Sequence, residues 1–273
     1  MTITSDLQSA ARPTTSTAQQ WWVLSVRLIR PTVRDGELLT QFTNSIFFTA
    51  GFYIPLKNLM GAFDEGMSSY AQYLTPLIVL QAVSFAAISA AFRSANDSVQ
   101  GINRRFKAMP IGALTPLASR MSVSMYRCVI ALAISLICGH VIGFRFHGGA
   151  VYTVSFCLLV LLIGAVLSFL GDLIGAASEN PEATAPLLLV PQVIFGLLSA
   201  GIQPVERFPE WIQPFVRNQP VSQFIYALRP LAGDSTAAAG EVTWWVLGSA
   251  LAWVIGLMVI LILMHRRVSM RRR

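Results

Sequence analysis

Uncharged, largely apolar runs recur along the chain, and the charged positions gather between them. Six runs stand out: Leu38–Leu56, Leu74–Phe92, Cys128–Phe144, Val151–Gly171, Ala183–Val205 and Val242–Met264, of 19, 19, 17, 21, 23 and 23 residues. A bilayer core about 30 Å thick is crossed by roughly 20 helical residues, with about 17 near the lower limit. Each run therefore predicts a membrane-spanning helix. The third is the shortest, and its helix is expected to begin nearer Leu117, with Arg127 snorkelling or turned toward protein. The first is the most polar, with Gln41, Thr43, Asn44 and Ser45, which predicts that it packs against other helices. No internal repeat or heptad pattern accompanies the runs. The expected fold is all-α: a polytopic membrane protein with six transmembrane helices.

The segments between the runs have patterns of their own. Residues 1–20 are rich in Ser, Thr and Gln, lack the features of a signal peptide, and predict a disordered tail. Residues 21–34 open with Trp-Trp-Val-Leu-Ser-Val-Arg-Leu-Ile-Arg, an amphipathic stretch suited to a helix lying in the membrane interface before the first span. After the fifth run, residues 206–229 hold Pro209, Pro214 and Pro220. Within this stretch Trp211, Ile212, Phe215 and Val216 share one face of a short helix that could dip into the outer leaflet, a re-entrant segment between spans five and six. One membrane domain over 21–265 and a basic tail over 266–273 complete the organisation.

Charge sets the sidedness. With the N-terminal segment, the loop between spans two and three and the C-terminal tail inside, 15 of 20 basic residues are inside, and Lys57, Arg145, Arg207, Arg217 and Arg229 are outside. Basic residues prefer the cytoplasmic side, so both termini are expected in the cytoplasm of a cell-membrane protein. The loop Ser178–Thr184 adds nothing to this tally, since it carries Glu179 and Glu182 and no Lys or Arg. Composition agrees: 54% of residues are hydrophobic and 12% charged, against roughly 25% charged in soluble domains. The net charge of +7 follows from loop and tail arginines, so topology rather than nucleic-acid binding explains it. Cys128, Cys138 and Cys157 lie inside apolar runs with no C-x-x-C pair and read as buried free thiols.

Several chemistries lack their residues. A P-loop needs Gly-Lys-Ser/Thr to hold phosphates, and neither Lys57 nor Lys107 follows a glycine. His140, His147 and His265 form no H-E-x-x-H zinc motif, and no metal site is expected. Leu198–Gly201 is not a nucleophile elbow, and an aspartyl intramembrane protease would need two aspartates in spans where only Asp172 qualifies. Asp172 sits at the inner end of span four, where water or an arginine can satisfy it. Scattered Gln81, Ser84, Ser89, Ser135, Ser155, Ser168, Gln192 and Ser199 read as polar packing between helices. A path lined this way suits large, greasy cargo better than ions.

Two segments carry an identity. The first is Arg93–Pro116, in which Asp97, Gly101, Arg104, Arg105, Phe106, Lys107, Met109 and Pro110 make a basic, apolar-tipped helix suited to a partner's groove. The second is Leu198–Arg229, with Ser199, Gly201, Pro204, Pro209, Trp211, Ile212, Gln213, Asn218, Pro220, Val221, Ser222 and Ala227-Leu228-Arg229. Together they resemble the permease subunits of type-2 ABC exporters, particularly the daunorubicin-resistance branch and its mycobacterial second permeases. In that family the first segment reads D-x-x-x-G-x-x-x-R-h-x-x-x-P, and the second carries an Asn-Pro pair, here interrupted by Gln219, before a terminal A-x-R or A-L-R; Gln100 replaces the acid usual before the linker glycine.

The resemblance implies an ATPase-coupling role for Asp97, Gly101, Arg104, Arg105, Phe106, Lys107, Met109 and Pro110. It implies a motion-relaying interfacial helix with Trp21, Trp22, Arg27 and Arg30, and an external gate at Gly201, Pro204, Pro209, Trp211, Asn218 and Pro220. It also implies a non-catalytic subunit that binds no cofactor, with ATP and magnesium held by two copies of a P-loop ATPase. A second six-helix permease would complete a heterodimer or homodimer among membrane lipid, with no nucleic acid. The implied cargo is large and hydrophobic: anthracycline-like drugs, or complex envelope lipids of the phthiocerol dimycocerosate type. Two other classes stay open, a proton-coupled carrier using Asp172 or Glu179, and a non-transporting membrane assembly factor.

Overall fold

In a bilayer every backbone polar group must be bonded within its own segment, so apolar runs of this length become helices. A computed structural model describes residues 16–34, 36–61, 69–109, 112, 114–178, 180–233 and 243–271, all helices, turns and loops. The helices are α1 (Thr17–Arg34), α2 (Glu37–Gly61), α3 (Tyr70–Val99), α4 (Ile102–Ala108), α5 (Thr115–Ile142), α6 (Gly149–Ala177), α7 (Pro181–Leu197), α8 (Gln213–Asn218), α9 (Pro220–Leu231) and α10 (Trp244–Arg271). A 3₁₀ turn, Val205–Arg207, precedes α8. Residues 1–15 of the expected tail, Pro110 and Glu179 lie outside the described residues, as do the side chains of the basic tail.

Among the described residues, four helices are long and apolar enough to cross a membrane: α3, α5, α6 and the Trp244–Met264 part of α10. The protein is therefore a multi-pass membrane protein. Of the two remaining predicted spans, α2 has 25 residues and α7 has 17.

α3 is the hub. Every residue from 71 to 83 is buried, so this helix is covered on all sides, whereas α10 exposes most of its apolar surface. α6 lies against α3 along a seam of small residues. A Cβ at Gly171 would sit 2.9 Å from the Ala87 carbonyl, and one at Gly175 would collide with the Ala91 carbonyl. The hydroxyls of Ser94 and Ser98 donate across the seam to the carbonyls of Asp172 and Ala176, at 2.9 and 3.1 Å. Close backbone approach through small residues and hydroxyl bonds is how helices adhere where no hydrophobic drive exists between them. The polar first run packs as expected: Gln41, Ser45 and Thr49 are buried, and Ser45 meets Ser135 of α5 at 3.2 Å. Gln192 of α7 reaches Gln81 of α3 at 3.1 Å.

Three boundaries differ from the sequence reading. α1 starts at Thr17 rather than residue 21, because Ser16 and Gln19 cap each other reciprocally at 3.3 and 3.2 Å. α5 starts at Thr115, and Arg127, only 2% exposed, faces protein. The fifth run is not one 23-residue helix. α7 begins under an Asn180 cap with Pro181 at its first turn and ends at Leu197. There the Ser199 hydroxyl takes the Gly196 carbonyl at 2.6 Å, and residues 198–204 turn back.

Candidate functional site

The described bundle has two polar nodes, one at each end. The first lies beside the linker helix α4. α3 stops at Val99, and Gly101, with φ of 69°, turns the chain into α4. Residues with side chains find that left-handed conformation strained, which accounts for glycine at the hinge. On α4 Arg105 is exposed, as is Met109 just beyond it, and Phe106 is half-buried. Arg104 and Lys107 belong to the same helix, their side chains outside the described residues. Asp97 does not project with them. It lines a small cavity of about 60 Å³ inside the bundle, with Leu28, Arg120, Ser124, Arg127 and Asp172 among its walls.

This node is ionic. Arg120 forks onto Asp172: Nη2 donates to Oδ2 at 3.2 Å, and Nε lies 2.8 Å from Oδ1 in ion-pair contact. A hydrogen bond between charged groups is stronger than a neutral one. The arginine expected as one way of satisfying Asp172 is therefore present. Next to it, Arg127 donates to the Thr32 hydroxyl at 2.6 Å, and the Trp21 indole donates to Ser122 at 3.1 Å. These two bonds dock α1 on α5. Trp21, Ser25, Leu28 and Thr32 follow helical spacing on the inner face of α1, while Trp22, Arg27 and Arg30 face outward. The amphipathic reading of this helix thus divides the two tryptophans between opposite faces.

The second node closes the other end. Its centre is Arg229, 2% exposed. Its guanidinium lies 3.5 Å over the Tyr73 ring and donates to the Ala200 carbonyl at 2.6 Å and to the Tyr73 carbonyl at 3.4 Å. The Tyr73 hydroxyl donates to the same Ala200 carbonyl at 2.8 Å. Ser222 accepts from the Ala200 amide at 3.0 Å. One turn residue is thus held by α3 and α9 together. Tyr73 ends a stacked row, Tyr53–Tyr70–Tyr73, with ring centroids 6.3 and 6.4 Å apart. Gly201 is needed for closeness: a Cβ there would meet Leu77 at 2.8 Å and Ile225 at 2.7 Å.

The predicted gate residues divide accordingly. Gly201 is in the node. Pro204 and Pro209 shape the turns, the Pro209 carbonyl accepting from the Ile212 and Gln213 amides, and Pro220 opens α9. Asn218 bonds only locally, to the Pro214 carbonyl at 2.9 Å, and Trp211 is 80% exposed. The four-residue face is split: Trp211 and Ile212 precede α8, Val216 is fully buried, and Phe215 stacks on Phe195 at 6.0 Å.

Two placements correct the sequence reading. Arg229, counted among external loop charges, is buried because carbonyls and an aromatic face replace its water. Gln219, read as an interruption of an Asn-Pro pair, is buried, and its amide donates to the carbonyls of Leu198 and Phe195. The end of α7 leaves those carbonyls without intrahelical donors, and Gln219 supplies one. Tyr73 and Ser222 gave no sequence signal of this role. Arg229 did, as a lone charge within an apolar stretch.

Comparison with known proteins is consistent across the whole bundle. A family model described as ABC-2 family transporter protein matches residues 31–264. The chain is 50% identical over 262 residues to the "Doxorubicin resistance ABC transporter permease protein DrrB" of Mycobacterium tuberculosis, covering 94% of this chain and 91% of that protein. It is 27% identical over 203 residues to the "Daunorubicin resistance ABC transporter permease protein DrrB1" of Streptomyces coeruleorubidus, covering 73% and 69%. It is also 27% identical over 228 residues to the "Probable doxorubicin resistance ABC transporter permease protein DrrC" of Mycobacterium tuberculosis, covering 82% and 79%.

Proposed function

The chain belongs to the ABC-2 transporter family, in the daunorubicin-resistance branch of permeases, and from that premise we propose that it is one half of the membrane pathway of an exporter. Its cargo is a large apolar molecule of the doxorubicin type, moved outward with ATP hydrolysed by a separate P-loop subunit present in two copies. The observation that carries this reading is 50% identity, over 94% of the chain, to a protein named for doxorubicin resistance. The lack of any P-loop in this sequence supports a separate ATPase. Similarity to both a DrrB and a DrrC permease of one organism supports pairing with a sister permease.

In this reading α2 and α7 join the four apolar spans, giving six, with both termini cytoplasmic. The linker helix α4 meets the ATPase, and α1 lies in the inner membrane interface. The node around Arg229 then faces outward. Opening of the path is a switch between two packed arrangements of rigid helices. A complex envelope lipid is the second cargo class, favoured by the long apolar surface that α10 exposes.

Inside-out vesicles carrying this chain, the permease encoded beside it and their ATPase test the proposal. ATP-dependent uptake of doxorubicin, lost when this chain is omitted, is the expected result. Uptake of extracted envelope lipid but not drug would select the second cargo, and uptake of neither would sink the exporter reading. A cysteine at Glu210 reacting only with reagent from the cytoplasmic side would overturn the six-span topology.

A further inference from the structure

The linker helix α4 is flanked by two arms. On one side α3 and α6 are locked by the glycine seam and by the Ser94 and Ser98 bonds. On the other side α5 carries α1, through Arg127–Thr32 and Trp21–Ser122. Between the arms lies the cavity of about 60 Å³, polar and roomy enough for water. Arg120 of α5 spans this gap to grip Asp172 of α6. Asp97 of α3 faces the same gap, five positions before the first residue of α4. One arginine thus has two carboxylates within one small polar cavity. One belongs to α6, and the other to the last turns of α3, which runs through the Gly101 hinge into α4.

Resting on the exporter reading, we infer that Arg120 is a two-position clasp: it holds Asp172 in the arrangement seen here and passes to Asp97 when the ATPase displaces α4. The exchange trades one ion pair for another of the same chemistry. Each arrangement releases one carboxylate from Arg120, and Arg93 and Arg127, which line the same cavity, stand beside the one released. Asp97 and Arg120 act in this as positioning residues that set which arms move together. Asp97 then serves inside the bundle, distinct from a surface contact with the ATPase.

The test is Asp97→Asn in the full complex. The resting fork on Asp172 survives this change, so melting temperature, co-purification with the ATPase and ATP hydrolysis should match the unmodified protein. Doxorubicin moved per ATP hydrolysed should fall about tenfold. Asp97→Glu, which keeps the second carboxylate, should restore most of that ratio. Unchanged transport in Asp97→Asn would overturn the clasp. So would a parallel loss of ATPase co-purification, which would make Asp97 a docking contact. Failure of the exporter reading is separable, since the unmodified complex would then move no doxorubicin with ATP.

Discussion

The two ends of this bundle bury arginine in opposite ways. Beside α4, Arg120 is met by a side-chain carboxylate on another helix, with a second carboxylate lining the same cavity. At the far end, Arg229 is met by two backbone carbonyls and the face of Tyr73. Side-chain partners can be exchanged by small rotations. Backbone carbonyls of a tight turn cannot move without unfolding the turn. The first arrangement suits a joint and the second a rivet, although both give a guanidinium partners within the protein.

Substitutions can break this contrast, beginning with the rivet. Arg229→Ala removes the charge that ties Ala200 to α3 and α9, and breaking a buried charged contact costs about 3–5 kcal/mol. The expected outcome is a large fall in melting temperature in detergent, or loss of the monodisperse protein. Arg229→Lys should recover only part, since an ammonium lacks the planar fork that stacks on Tyr73. At the joint, Asp172→Asn should cost less, about 2 kcal/mol, because Arg120 is partly exposed and Asp97 is at hand. Comparing the two melting temperatures measures the contrast directly, and equal losses would dissolve it.

Two smaller effects sharpen the picture of the outer turn. Gln219→Ala removes donors to the Leu198 and Phe195 carbonyls, and inter-helix hydrogen bonds in membranes are each worth roughly 0.6 kcal/mol, at most about 1.7. The fall in stability should therefore be measurable but well below that of Arg229→Ala. Trp211→Ala, at an exposed position, should stay within about 0.5 kcal/mol of the unmodified protein. If its transport falls while its stability holds, Trp211 touches cargo or a partner rather than this chain.

Much of the bundle was legible before any coordinates. Asn180-Pro181 and Ser16-x-x-Gln19 are local cap signals that the reading of the runs passed over, and helices begin at both. The polar face of the first run announced packing, and Ser45 meets Ser135. The site was less legible. Gly201, Pro204, Pro209 and Pro220 were singled out through the family resemblance, and they stand in the turns and helix start between α7 and α9. Asp97 was grouped with the linker by spacing, yet its helix turns it into the bundle. Gln219 looked like a flaw in a motif and is instead what finishes α7.

Sequence alone determined that the apolar runs are helical and that no P-loop motif occurs, because these follow from local chemistry. A helix in lipid bonds within itself, and a P-loop is contiguous. Only the tertiary structure decided which partner each buried polar group took. Arg120 found Asp172, Arg127 found Thr32 and Arg229 found Tyr73 across separations of 52, 95 and 156 residues. Such pairings depend on which helix faces meet, and that is set by glycine seams and turns acting together rather than by any one segment.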